Sequence, residues 1–104
     1  MQKIAFKMRL LPGCTEEYIR RHDHIWPELK ELLRSSGVKD YTIFLDEETG
    51  TLFGVQKTES AAGSQNLGAQ EIVRKWWAYM SDLMETHPDQ SPVSIPLIKV
   101  FHMD

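Results

Sequence analysis

The sequence is short of cysteine: Cys14 is the only one in 104 residues. That count excludes a disulfide framework within the chain and a cysteine-rich zinc site. No apolar run approaches the ~20 residues that a membrane-spanning helix needs, so no membrane partner is expected. Neither sign of charge dominates. Twelve lysines and arginines face 15 aspartates and glutamates, a formal net charge of −3, which gives no electrostatic reason to expect nucleic acid or an anionic membrane as partner. The first residues, MQKIAFKMRLLPG, are interrupted by lysine and arginine and do not read as a signal peptide. A reducing cytoplasm is the expected setting. With 41% apolar and 26% charged residues, the composition is that of a soluble globular protein with one modest core, and residues 1–104 are expected to form a single domain.

What is present falls into a definite order. Ile4, Phe6, Met8 and Leu10 alternate with Ala5, Lys7 and Arg9, the period-two pattern of a half-buried strand. Pro12-Gly13 stops it, and Thr15 is a candidate cap for a helix favoured at its start by Glu16 and Glu17. Tyr18, His22, Ile25, Leu29, Leu32 and Leu33 follow helical spacing. Pro27 interrupts it and pushes Trp26 away from helical angles, so the spacing predicts one helix over about 15–23 and a second opening at Pro27. Gly37 is the expected C-terminal cap. DYTIFLD and LFGVQKT, joined by EETG, predict an antiparallel hairpin. Residues 59–70, ESAAGSQNLGAQ, predict a loop or a weak helix. EIVRKWWAYMSDLME predicts a helix with Ile72, Trp76, Tyr79, Met80 and Leu83 on one stripe, and LIKVFHM a closing fourth strand. The order β-α-β-β-α-β fits an α+β, ferredoxin-like sandwich with its helices on one face of a four-stranded antiparallel sheet. The second strand is apolar on both sides, Tyr41/Ile43/Leu45 against Thr42/Phe44. A homodimer packed sheet to sheet is the economical cover for the second face.

The segment YIRRHDHIWPEL, residues 18–29, holds the candidates for chemistry. His22 and His24 differ by about 200° on a helix and diverge. With no HExxH, third histidine or thiolate pair, no metal site is expected. Tyr18 and His22, four apart, share the inward face. An imidazole in a partly apolar cleft can titrate near neutrality and serve as an acid/base. The plainer alternative is a core histidine satisfied by Tyr18 or a backbone carbonyl, and spacing alone favours it. Trp76 and Trp77 point about 100° apart: one is expected in the core and the other at a cleft, where an indole can stack on a sugar, unless both simply pack on the flanks of a wide stripe. Tyr41, taken alone, reads as a strand aromatic at the sheet rim. Arg20, Arg21, Arg9 and Lys99 read as surface positions, and Cys14 as inert.

Taken together, EEYIRRHDHIWPEL, DYTIFLD, RKWWAYMSDLM and HPDQSPVSIPLIKVF closely resemble the L-rhamnose mutarotase family, over nearly the whole chain. ESAAGSQNLGAQ departs from the bulkier, more helix-favouring stretch of that pattern, and His24 stands where a proline-like residue is expected. The resemblance implies a dimeric α+β barrel of two ferredoxin-like units and interconversion of the α and β anomers of L-rhamnose. It implies His22 as catalytic proton donor and Tyr18, Tyr41, Trp76 and Trp77 as sugar-binding positions, with no metal or organic cofactor. Competing readings are a small monooxygenase of the same dimeric architecture, a haem-handling protein with a histidine axial ligand, and a sugar-binding dimer without turnover.

Overall fold

The computed structural model describes residues 1–59 and 63–104, for Gln65 and Asn66 the backbone only. Its elements are β1 (Gln2–Arg9), α1 (Thr15–Asp23), α2 (Pro27–Ser35), β2 (Val38–Asp46), β3 (Thr51–Thr58), a 3-10 turn (Gly63–Asn66), α3 (Glu71–Met80) and β4 (Ile95–Pro96). The sheet order is β2-β3-β1-β4, with antiparallel neighbours throughout. This is the expected ferredoxin-like order, with the first helix broken in two. Among the described residues no helix is long and apolar enough to cross a membrane.

Register shows which side chains share a face. Phe6 lies opposite Gly54 and Met8 opposite Leu52; Ile43 and Leu45 meet the same Gly54 and Leu52 from the other side. These face the helices, where Phe6, Met8, Leu29, Leu52, Trp76 and Met80 form the buried core. Gly54 is needed there because a Cβ would collide with the Phe6 ring. On the opposite face Ala5 pairs with Val55, and Lys7 and Phe44 flank Phe53.

One irregularity matters for the site. Val38 pairs with Thr58 and Ile43 with Gly54, so five steps along β2 match four along β3. The extra residue is a β-bulge between Lys39 and Thr42, with Asp40 at φ 48°. A bulge reverses the parity of a strand. Val38 and Tyr41, which a regular strand would send to opposite faces, thereby both turn toward the helices.

The helices begin and end close to expectation, with differences that have local causes. Pro27 occupies the first turn of α2, with Trp26 extended at ψ 129°, and Gly37 takes φ 86° just past its end. Thr15 is the first helical residue of α1 instead of its cap; Cys14 holds the cap position without a side-chain capping bond, its thiol donating to the Pro12 carbonyl. Helix α3 stops at Met80, and its buried stripe is Val73, Trp76 and Met80. Tyr79 is left exposed, while Leu83 is buried from the turn beyond the helix.

The largest departure is at the C-terminus. The closing strand expected over 97–103 is reduced to Ile95–Pro96 beside Phe6 and Lys7. The chain leaves the sheet after the Leu97 N–H donates to the Ala5 carbonyl, and Ile98, Val100, Phe101 and Met103 are exposed. Of the 59–70 stretch, the described part is the 3-10 turn and a bend at 67–70; the expectation for residues 60–62 lies outside the described residues.

Candidate active site

A cavity of about 940 Å³ opens between the helix-facing side of β2 and the three helices, and Tyr18, His22, Tyr41, Trp76 and Trp77 all line it. Five residues scattered over 60 positions of sequence are thus brought to one place, from α1, β2 and α3.

Helix α1 supplies the first two. The His22 ring stacks on Tyr18 at 4.3 Å between centroids, as i,i+4 spacing requires, and meets Trp76 edge-on at 5.5 Å. Its Nδ1 lies 3.1 Å from the Tyr18 carbonyl oxygen. A carbonyl can only accept, so Nδ1 carries the hydrogen and Nε2 keeps its lone pair in the neutral ring. Burial lowers the His22 pKa, opposed by that backbone bond, which favours the neutral imidazole at neutral pH. One ring nitrogen is thus satisfied by backbone, as a packed histidine would be, while the ring itself lines the cavity. His24, by contrast, is exposed, with Nδ1 on the Arg20 carbonyl.

Trp76 is in the core, and Trp77 is half-buried beneath Gly68, where a Cβ would crowd its ring. The expected division between the two indoles is present, although Trp76 also reaches the cavity. The break at Pro27 lets Trp26 turn inward, edge-on to Trp76 at 5.1 Å and against Tyr79 at 5.5 Å. Arg21 is not a solvated face. Its side chain is only 11% exposed; it pairs with Asp82 and Glu17 and lies 4.5 Å over the Tyr79 ring. The α1–α3 contact is bolted by this cation, whereas Arg20 stays outside on Glu17.

Tyr41 enters from the bulge of β2, its ring edge-on to Phe6 at 6.2 Å. Burial pushes its phenol up to about 12, moderated by a hydrogen bond from Ser64; burial raises Tyr18 as well. Both phenols are therefore donors at neutral pH. Ser64, from the 3-10 turn, also lines the cavity, and its partner Gln56 lies beneath it on β3. Sequence reasoning missed both. A signal existed for Gln56: in LFGVQKT it shares the helix-facing parity of Leu52 and Gly54, where an amide is out of place unless it is bonded. The HPDQSPVS loop contributes differently. Asp89 accepts from the Ser91 N–H and hydroxyl, and His87 donates its N–H to the Ser91 carbonyl, so these polar groups build the turn itself.

The family model described as L-rhamnose mutarotase matches residues 3–103. An L-rhamnose mutarotase of Bacteroides thetaiotaomicron is 62% identical over 104 residues, all of both chains. The crystal structure of an L-rhamnose mutarotase from Formosa agariphila superposes with a TM-score of 0.93 at 51% identity, again over all of both chains. An antibiotic biosynthesis monooxygenase aligns at TM-score 0.59 and 15% identity, over 96% of this chain and 99% of its own; that likeness shows the shared fold alone. Full-length identity of this order, on a chain that also carries the tyrosine–histidine helix, the paired tryptophans and the cavity they line, places it by descent: the chain belongs to the L-rhamnose mutarotase family.

Proposed function

We propose that the protein interconverts the α and β anomers of L-rhamnose by acid/base-catalysed ring opening and closure. The observation that carries this reading is the convergence of Tyr18, His22, Tyr41, Trp76 and Trp77 on one cavity. Opening a hemiacetal removes the proton of the anomeric hydroxyl and supplies one to the ring oxygen; rotation about C1–C2 and closure reverse both transfers. His22 is the proton donor of this reading: resting neutral with Nε2 unprotonated, it first takes the proton of the anomeric hydroxyl and then delivers it to the ring oxygen, and a positioned group of this kind is worth ~10²–10⁴-fold. Tyr18 fixes the imidazole plane and tautomer. The indoles of Trp76 and Trp77 offer apolar faces to the C–H surface of the sugar. Neither an external nucleophile nor a change of oxidation state is part of the reaction.

The same proposal includes a homodimer. The outer face of the sheet leaves Phe44 60% exposed, and Ile98, Val100, Phe101 and Met103 stand out along the tail. A second copy laid sheet to sheet would cover both, and exposed apolar surface of this extent is unusual on a monomer. The cytoplasm suits this reading, since Cys14 is unpaired and thiols are kept reduced there.

Saturation-transfer NMR on L-rhamnose tests the activity directly. Magnetisation exchange between the two anomeric protons should rise in proportion to protein concentration above the buffer rate. Binding without faster exchange would reduce the protein to a sugar binder and sink the proposal.

A further inference from the structure

We infer that Arg21 is the positioning residue for His22: by fastening α1 to the C-terminal end of α3, it holds the imidazole against Trp76 at the cavity wall. The inference rests on the acid/base reading above and deepens it. Helix α1 carries both Tyr18 and His22, yet of its nine residues only Tyr18 is buried, and Ile19 stands 53% exposed. A helix this short is marginal alone and takes its stability from tertiary packing, which is thin here. Arg21 supplies what packing does not. Its Nη1 donates to the Tyr79 carbonyl at 2.6 Å and to Asp82 Oδ1 at 2.8 Å, and its Nη2 donates to Asp82 Oδ2 at 3.1 Å. Nε donates to Glu17 Oε2 at 2.7 Å, which steadies the fork from its own helix. The Tyr79 carbonyl is one of the last four of α3, groups that have no partner within a helix, and a cation is favoured at that end.

Ring contacts continue from this anchor to the imidazole. The guanidinium lies 4.5 Å over Tyr79. Tyr79 meets Trp26 at 5.5 Å and Trp76 at 5.7 Å, and Trp26 meets Trp76 at 5.1 Å. Trp76 in turn meets His22 at 5.5 Å. Arg21 and His22 are successive residues, about 100° apart around one helix, so a guanidinium fixed on α3 sets both the height and the rotation of the imidazole. The Nδ1 bond to the Tyr18 carbonyl and the stack on Tyr18 lie inside α1 and travel with it. What Arg21 fixes is where that unit stands relative to Trp76 and Tyr41 across the cavity. The chemistry is demanding on this point. Nε2 must take a proton from O1 and give it to O5, two oxygens on one carbon, each within a hydrogen-bond reach of about 2.6–3.2 Å. The sugar-binding faces of Trp76, Trp77 and Tyr41 come from α3 and β2, so a displaced α1 should affect kcat more than KM.

The test compares wild type, Arg21→Met, Arg21→Lys, Asp82→Ala, the Arg21→Met/Asp82→Ala double variant and Arg20→Met in anomer exchange. Small misplacements of a catalytic group are costly, so Arg21→Met should lower kcat about 10–100-fold with KM changed by less than about threefold. Arg21→Lys keeps the charge without the fork and recovers only part of the rate. Asp82→Ala falls in the same direction by less, and adds nothing in the Arg21→Met background. Arg20→Met, which alters the neighbouring arginine that stays on Glu17, leaves the rate unchanged. Proton NMR reads the position itself: the His22 ring signals, identified by their loss in His22→Ala, should move in Arg21→Met as the Trp76 ring current on them weakens, while the other core signals stay. Should Arg21→Met fail to fold, Asp82→Ala, which removes an exposed carboxylate, must still show the kcat-selective loss and the shift. An undiminished kcat in the folded variant, a loss carried by KM, an equal loss in Arg20→Met, or a loss with the His22 signals unmoved overturns the inference while the function stands. A wild type without exchange activity overturns both.

Discussion

The two faces of one sheet differ in nearly everything but their strands. Toward the helices, Phe6, Met8 and Leu52 are buried, Gln56 is hydrogen-bonded to Ser64, and no buried side-chain polar atom among the described residues lacks a partner. Away from them, Phe44 is largely bare and the tail after Leu97 lies outside the sheet. A strand alternates its side chains, so the same eight or nine residues must satisfy both sides. Helices α1 to α3 cover one side. Among the described residues no helix covers the other. The inner face is where a small molecule can be surrounded; on the proposed reading the outer face meets a second copy, and catalysis and assembly would be divided between alternate residues of the same strands.

The division can be broken most sharply at His22. His22→Ala should lose most of the acceleration above the buffer rate, ~10²–10⁴-fold, while His24→Ala, altering an exposed ring bonded only to its own helix, should leave exchange rates nearly unchanged. A His24→Ala variant as inactive as His22→Ala, with folding intact, would mean that the wrong histidine has been assigned.

A paired experiment on the two faces comes next. Leu52, 1% exposed on the inner side, should cost about 2–5 kcal/mol on truncation to Ala, read by denaturant unfolding. Phe44→Asp on the outer side should leave the fold intact and change the assembly instead. Light scattering of the wild type at micromolar concentration should give about twice 12.1 kDa, and the variant should move toward one chain. A wild-type monomer, or a Phe44→Asp dimer as tight as wild type, would remove the outer face from the account.

The pH dependence sharpens the inner face. Burial holds the His22 pKa below its ordinary 6.5, so the neutral form used as base is present at neutral pH. The rate should be level above about 6.5 and fall about tenfold per unit once the pH drops below the folded-state value. Stability carries the same sign. The unfolded chain takes up the proton more readily, so stability present above 6.5 is lost as pH falls through the lowered folded-state pKa. A rate that rises on acidification would show the imidazolium to be the working form. The smallest effect is expected at the indoles. Trp77→Phe keeps an aromatic face at the cavity and should weaken sugar binding only several-fold, within the ~0.5–1.5 kcal/mol attributed to aromatic contacts. Unaltered binding in both single Trp→Phe variants would make the pair packing alone.

Much of this was legible without coordinates, and the pattern of what was not is physical. Tyr18 and His22 could be paired because four residues on a helix return to the same face whatever surrounds them. The break at Trp26-Pro27 and the cap at Gly37 follow from backbone sterics confined to two or three residues. The position of Tyr41 was less secure, since it depends on a bulge that adds one residue to β2 against β3, and register is a property of two strands. Arg21 read as solvated because its partners Asp82 and the Tyr79 ring lie some 60 positions away.

Composition, periodicity and turn chemistry by themselves determined the order of elements and the shared inward face of Tyr18 and His22, because each is set by torsions and spacings within a few residues; His22 as the acid/base group came from the family resemblance. Only the tertiary structure decided that Ser64, seated on Gln56, lines the same cavity as Tyr41, and that the apolar tail LIKVFHM leaves its own sheet. Those outcomes depend on how distant segments compete for the same buried space: a Gly63 turn can seal Gln56 only once β3 is in place, and alternating apolar residues at a chain end fit the edge of this sheet and the surface of a second copy equally well as sequence.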